Sequence, residues 1–168
     1  VRRRSAEEGL YALHLPEEVG GGGLSQLEHF YVIEEAFRYG TGHGSGLTKS
    51  VLAWTEGPSA LLLHLDEEQR AEWLDPLVEG RKTACIGITE PGAGSDIGAI
   101  ETIAERDGDG WVLNGHKRYI TNGPYADTAQ ILAKTDRAEG PAGMAMFLVD
   151  MNENPGIRPG TINTNLMM

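Results

Sequence analysis

The spacing of apolar residues in this 168-residue chain changes once, near Gly80, and that change fixes the fold class. Before Gly80 apolar residues recur every three or four positions, the period of an amphipathic helix. After it they come in runs of strand length, punctuated by Gly, Pro and Asp. Ser25-Gln26-Leu27-Glu28 reads as a capping box, the serine hydroxyl taking an orphan backbone N–H while the glutamate reaches back. Leu27, Phe30, Ile33 and Phe37 then form one stripe, which core packing explains, and Gly40 closes the helix. A second helical stretch is expected from about Leu47 to Leu65, divided at Gly57-Pro58 because proline is tolerated only in a first turn. Asp66 with Gln69 repeats the capping pattern ahead of Trp73, Leu74, Leu77 and Val78.

Beyond Gly80, Ala84–Ile88, Ala129–Ala133 and Met144–Val149 read as strands. Trp111–Leu113 and Lys117–Ile120 flank Asn114-Gly115, a strong hairpin signal because both turn residues accept positive φ. A helical block followed by an antiparallel β block is an α+β order, with a helical domain over residues 1–82 and a β domain over 83–168. The tract Gly20–Gly23 reads as a tight turn that needs positive φ and close packing.

Net charge is −11, from 14 basic and 25 acidic residues, which argues against a nucleic-acid surface built from clustered Lys and Arg. No apolar run is long enough to span a bilayer, and the basic start Val1–Arg4 is not followed by an apolar segment. A cytoplasmic or organelle-matrix location is the expectation. Cys85 is the single cysteine, so no disulfide forms within the chain, and its apolar neighbours mark it as a small buried hydrophobe. The five histidines, His14, His29, His43, His64 and His116, stand at no metal-ligand spacing. Both ends read as those of a fragment of a longer protein.

Two segments carry chemistry. Thr89-Glu90-Pro91-Gly92-Ala93-Gly94-Ser95-Asp96 follows a strand and exposes backbone N–H groups with few Cβ atoms in the way, which suits approach to a phosphate or an ordinary surface turn. Gly92, Gly94 and Gly98 are one residue too widely spaced for the dinucleotide fingerprint, and no amphipathic helix follows. The second segment is Asn114-Gly115-His116-Lys117-Arg118-Tyr119-Ile120-Thr121-Asn122, in which a strand would put Tyr119 and Thr121 on one face. There an aromatic plane and a hydroxyl could meet one planar ligand, although a buried strand aromatic explains Tyr119 equally well.

Taken together, Ile86–Asp96, Leu113–Lys117 and Tyr119–Asn122 resemble the two signature blocks of acyl-CoA dehydrogenases. Leu15–Gly21 and Asp66–Leu77 resemble that family's N-terminal helical domain, so the likeness runs from about Gly9 to Arg158. The resemblance implies a homo-oligomeric flavoprotein that oxidises an acyl-CoA to the 2,3-enoyl-CoA and passes electrons to an electron-transferring flavoprotein or similar acceptor. It implies FAD along Ile86–Ser95, with Ile86 and Gly94 among the residues that line it, Ile88 and Thr89 beside the isoalloxazine ring and Ser95 at the pyrophosphate. Ser95 would also touch the pantetheine arm of the substrate. Tyr119, where many relatives have Trp, would pack on the flavin, beside Ile120, and Thr121 would bond near its reactive nitrogen. The family's base is a glutamate of a C-terminal helical domain that follows the β domain, so no residue of this chain inherits that role. Glu90 is expected to fix its loop. The fragment alone is expected to bind FAD weakly and to lack turnover. Acyl-CoA oxidases and flavin monooxygenases share these domains, and a truncated, non-catalytic binding or assembly module is the remaining alternative.

Overall fold

The computed structural model describes residues 1–40, 50–53, 56–137 and 139–162. The chain forms two compact units, Val1–Ala84 with the segment from Thr161, and Cys85–Gly160. His43 and much of the helix expected from about Leu47 to Leu65 lie outside the described residues.

The first unit is helical. Helix α1 spans Arg2–Glu7 and α2 spans Gln26–Gly40. The Ser25–Glu28 capping box forms as expected: the Ser25 N–H donates to Glu28 Oε2 at 2.9 Å and the Glu28 N–H returns to Ser25 Oγ at 3.4 Å. Within the expected second helix, the described part shows a short 3-10 turn at Ala60–His64, capped by Ser59. Helix α3 (Glu67–Gln69), a π turn (Arg70–Leu74) and α4 (Asp75–Val78) follow as one helical run. Pro76 has no N–H to give to the turn before it, and it sits in the first turn of α4 where that loss is tolerated. Gly80, at φ +63°, ends the run in the left-handed conformation that favours glycine.

Leu74, Leu77 and Val78 are buried, each side chain worth about 2 kcal/mol of apolar transfer. Tyr11, Leu13, Leu15, Leu52 and Leu62 are also buried. The tetraglycine turn serves close approach as expected: a Cβ on Gly21 would stand 2.2 Å from the Leu15 carbonyl oxygen, and Gly20 and Gly23 have positive φ. The α2 stripe is different. Leu27, Phe30 and Tyr31 are more than 60% exposed, and no side chain of residues 26–38 is fully buried. The unit builds its core on residues 11–15 and on the run through α4, and none of its described residues covers Leu27, Phe30 or Tyr31.

Asp66 caps the helical run at α3: its carboxylate accepts from the Gln69 N–H at 2.9 Å, and the Gln69 side chain accepts from the Asp66 N–H at 3.2 Å. Asp66→Ala leaves both N–H groups to water and is expected to lower stability by about 1 kcal/mol. A urea titration checks this; an unchanged midpoint would mean that the cap contributes nothing.

The second unit is a five-stranded sheet of β1 (Ala84–Gly87), β2 (Ile103–Asp107), β3 (Gly110–Asn114), β4 (Thr128–Lys134) and β5 (Met144–Asp150). Its order is β1-β4-β2-β3, with β5 on β4. Strands β4 and β5 pair antiparallel from Thr128↔Asp150 to Lys134↔Met144. Strand β2 meets β4 in parallel at Ile103↔Lys134, so the sheet is mixed and not wholly antiparallel as the sequence suggests. The hairpin and the connection 115–127 reverse the chain twice, which returns β4 in the direction of β2. Cys85, Ala126 and Ala129 form the centre of the packing, with Ile120, Ile131, Val149 and Met151 against them.

The hairpin itself lies elsewhere than expected. It joins β2 to β3 through Gly108-Asp109, with Asp107 opposite Gly110 and Gly108 at φ +59°. The Trp111–Leu113 run is thereby paired with β2, and Lys117–Ile120 is not a strand. Gly115 is required by close approach instead: a Cβ there would lie 2.1 Å from Thr102 Oγ1.

Candidate functional site

Strand β1 leads into the first candidate segment. Ile86 is its one exposed residue, while Gly87 lies so close to β4 that a Cβ would stand 2.7 Å from Ile131 Cδ1. After β1 the chain folds back on itself in a tight turn. The Glu90 N–H donates to the Ala93 carbonyl at 2.9 Å and the Ala93 N–H returns to the Glu90 carbonyl at 3.2 Å, which puts Pro91-Gly92 at the apex. Ile88 and Thr89 are half-buried before this turn; Gly94 and Ser95 are exposed after it.

Glu90 fixes the loop. Its side chain is buried and accepts from the Glu101 N–H at 2.5 Å, the Thr102 N–H at 3.0 Å, the Thr102 hydroxyl and the Lys117 ammonium at 2.7 Å. Burial alone pushes this carboxyl up, but the bonds from Lys117, Thr102 and Glu101 together outweigh it and hold the pKa down at about 2. A buried acid of this kind needs a cation with it. An acidic residue in a Gly/Pro loop is the signal the sequence offers for this role; its partners Lys117 and Thr102 come from 27 and 12 residues away and carry no local signal.

The second segment departs from the strand expected of it. Tyr119 has φ +57° and Asn122 φ +64°, both left-handed, so alternation along a strand cannot place Tyr119 and Thr121 on one face. The Tyr119 ring is 66% exposed, with the Arg118 guanidinium 4.5 Å from its centroid, and Thr121 is exposed. Ile120 turns the other way and packs on the core around Cys85. Burial raises the Cys85 thiol to about 11, which removes it as a nucleophile near neutral pH.

Three consecutive residues, Ile88 and the first two of the first segment, bond to two of the second. The Lys117 ammonium donates to the Ile88 carbonyl at 3.1 Å as well as to Glu90, and the Arg118 N–H donates to the Thr89 carbonyl at 2.8 Å. A pocket of about 310 Å³ on the Glu90 side is lined by Glu90, Pro91, Glu101, Thr102, Gly115 and His116, none of which is among the expected cofactor residues.

Residues 1–81 match the family model for the acyl-CoA dehydrogenase N-terminal domain, and residues 85–168 that for the acyl-CoA dehydrogenase middle domain. The chain belongs to the acyl-CoA dehydrogenase family. Among relatives it is 41% identical over 154 residues to the human mitochondrial short-chain specific acyl-CoA dehydrogenase, covering 90% of this chain and 36% of that one. It is 37% identical over 158 residues to a 3-(aryl)acrylate reductase of Clostridium sporogenes, covering 91% of this chain and 40% of the relative. Its fold superposes with a TM-score of 0.78 on a glutaryl-CoA dehydrogenase from Mycobacterium smegmatis in complex with FADH2, at 30% identity, covering 98% of this chain and 40% of that one. The chain thus spans about 40% or less of the length of these family members. No helix among the described residues is long and apolar enough to cross a membrane.

Proposed function

We propose that the full-length protein is an FAD-dependent acyl-CoA dehydrogenase that desaturates an acyl-CoA thioester between its α and β carbons, and that this chain supplies part of the flavin cradle. The observation that carries the reading is the bonding of Lys117 and Arg118 to Ile88–Glu90. It draws the two signature blocks together and leaves Tyr119, Thr121, Ile86, Gly94 and Ser95 exposed around them. The residues fit the group. Cβ atoms added to Gly92 or Gly94 would meet nothing within 4 Å, so the loop backbone is open to a pyrophosphate. Tyr119 and Ile86 offer an aromatic and an apolar surface for a planar ring.

In this reading Tyr119, Ile86 and Ile88 orient the ring, Ile120 backs them from the core around Cys85, and Thr89 and Thr121 bond the ring's polar edge. Gly94 and Ser95 hold the pyrophosphate, and Ser95 also steadies the pantetheine arm. Bound FAD supplies hydride acceptance. Removing the α-proton needs a base of suitable pKa, and Glu90, at about 2 with its lone pairs committed to four donors, is too weak a base for that step. The base belongs to the part of the protein beyond this chain. The same division assigns residues 1–82 to a helical domain and 83–168 to the flavin-binding β domain. The exposed face of α2 would be covered by the rest of a homo-oligomeric protein. Electrons would pass to an electron-transferring flavoprotein or similar acceptor, and the compartment would be the cytoplasm or an organelle matrix.

Anaerobic addition of acyl-CoA thioesters to the purified full-length protein tests the reading. Bleaching of the flavin band with formation of enoyl-CoA is expected, followed by slow reoxidation in oxygen. Fast reoxidation would make the protein an oxidase on the same fold, and no bleaching with any thioester would remove the acyl-CoA assignment.

A further inference from the structure

We propose that Lys117 is a positioning residue of the flavin-ring site, holding the Ile88–Thr89 peptide in one orientation relative to Tyr119 while Glu90 holds Lys117. The proposal rests on the FAD reading above and concerns a residue outside the expected cofactor residues.

The geometry is specific. Lys117 has three N–H donors and spends one on the Glu90 carboxylate at 2.7 Å and another on the Ile88 carbonyl at 3.1 Å. Its side chain is 10% exposed and that of Glu90 is 4% exposed, so neither group has water as an adequate substitute partner. Glu90 is in turn pinned to the Glu101 and Thr102 N–H groups next to β2, so the ammonium is anchored to the sheet and not to a mobile loop. The Lys117 stem also lies against the end of β1, its Cγ 3.3 Å from where a Gly87 Cβ would be.

The Ile88 carbonyl and the Thr89 N–H belong to one planar trans peptide and point in opposite directions. Fixing the carbonyl toward Lys117 therefore aims the Thr89 N–H away from it. The next peptide is fixed too, because the Thr89 carbonyl accepts from the Arg118 N–H at 2.8 Å. Two successive peptides beside the expected ring position are thus set by residues 117 and 118, immediately before the left-handed Tyr119 that presents its own ring. Lys117 acts on a bound flavin through this backbone and not by touching it.

The test uses the full-length holoprotein and the isosteric, uncharged Lys117→Met variant. Its folded, flavin-loaded form is expected to show a displaced flavin absorption band, a shifted reduction potential and FAD affinity reduced about tenfold. Its kcat should fall about 10- to 100-fold, the cost of a small misplacement, with KM changed much less. Lys117→Arg should recover part of each, since a guanidinium can still donate to the Ile88 carbonyl. A purely structural role would lower the melting temperature and leave the band, potential and kcat of the folded holoprotein at wild-type values, and that result overturns the proposal. If Lys117→Met does not fold, Glu90→Gln decides. It keeps the shape and weakens the anchor, so a shifted potential supports the proposal and an unchanged one overturns it. A wild-type protein that holds no FAD overturns the FAD reading and this inference together. Wild-type flavin with an unmoved Lys117→Met spectrum and potential overturns this inference alone.

Discussion

Replacing Glu90 by alanine is expected to destabilise the chain by about 3–5 kcal/mol, because it leaves the Lys117 ammonium buried without its counter-charge. The same change strips an acceptor from the Glu101 and Thr102 N–H groups and from the Thr102 hydroxyl. Thr102 is itself buried, so its released donors find no water at that position. A loss this large is a substantial share of a typical domain's stability, and partial unfolding at ambient temperature is the expected readout in a urea titration. A loss under about 1 kcal/mol would be that of an exposed ion pair, and would contradict the burial and bonding described.

The pair also sets an acid limit. The folded Glu90 carboxyl titrates at about 2, below its ordinary 4.5, so the unfolded chain takes up the proton first as pH falls. The stabilisation is therefore complete above about pH 4.5 and is lost as pH drops toward 2, for a total on the order of 3 kcal/mol. Glu90→Gln has no carboxyl at this position, and its urea midpoint should fall less steeply than wild type over that window. Parallel curves for the two proteins would place the acid sensitivity elsewhere.

The second large effect is on binding and not on folding. Gly94→Val in the full-length protein should leave the stability of the apoprotein unchanged within about 0.5 kcal/mol. The new Cβ meets nothing within 4 Å and Gly94 does not adopt positive φ. If that open space receives the FAD pyrophosphate, the branched side chain fills it, and FAD affinity should fall at least about 100-fold, or about 2.7 kcal/mol. Titration of apoprotein with FAD, beside thermal melts of the same samples, separates the two quantities. Wild-type affinity would show that the loop does not hold the phosphates.

Local rules carried much of this fold into the sequence. Both capping boxes form because they depend only on side chains three residues apart. The strand-length runs at Ala84, Ala129 and Met144 became β1, β4 and β5, since their apolar content suits a half-buried sheet. What escaped the sequence depends on distant partners. Asn114-Gly115 has the chemistry of a hairpin turn, but β3 was already paired with β2 through Gly108-Asp109, and Gly115 answers to Thr102 instead. The α2 stripe has the period of a core face, yet none of the described residues of its own unit covers Leu27 or Phe30. Periodicity reports a face that needs covering and does not say what covers it.

The site divides along the same line. The loop around Gly92 and the role of Glu90 follow from residue types within a few positions. The left-handed turn at Tyr119 and the hold of Lys117 on Ile88, 29 residues back, follow only from the folded chain.

A structure of the full-length protein with FAD bound decides where the flavin sits. The isoalloxazine ring is expected against Tyr119 and Thr121, with Ile88–Thr89 at its edge and the pyrophosphate at Gly94 and Ser95. A flavin bound away from these residues, with Tyr119 still facing solvent, would contradict this placement.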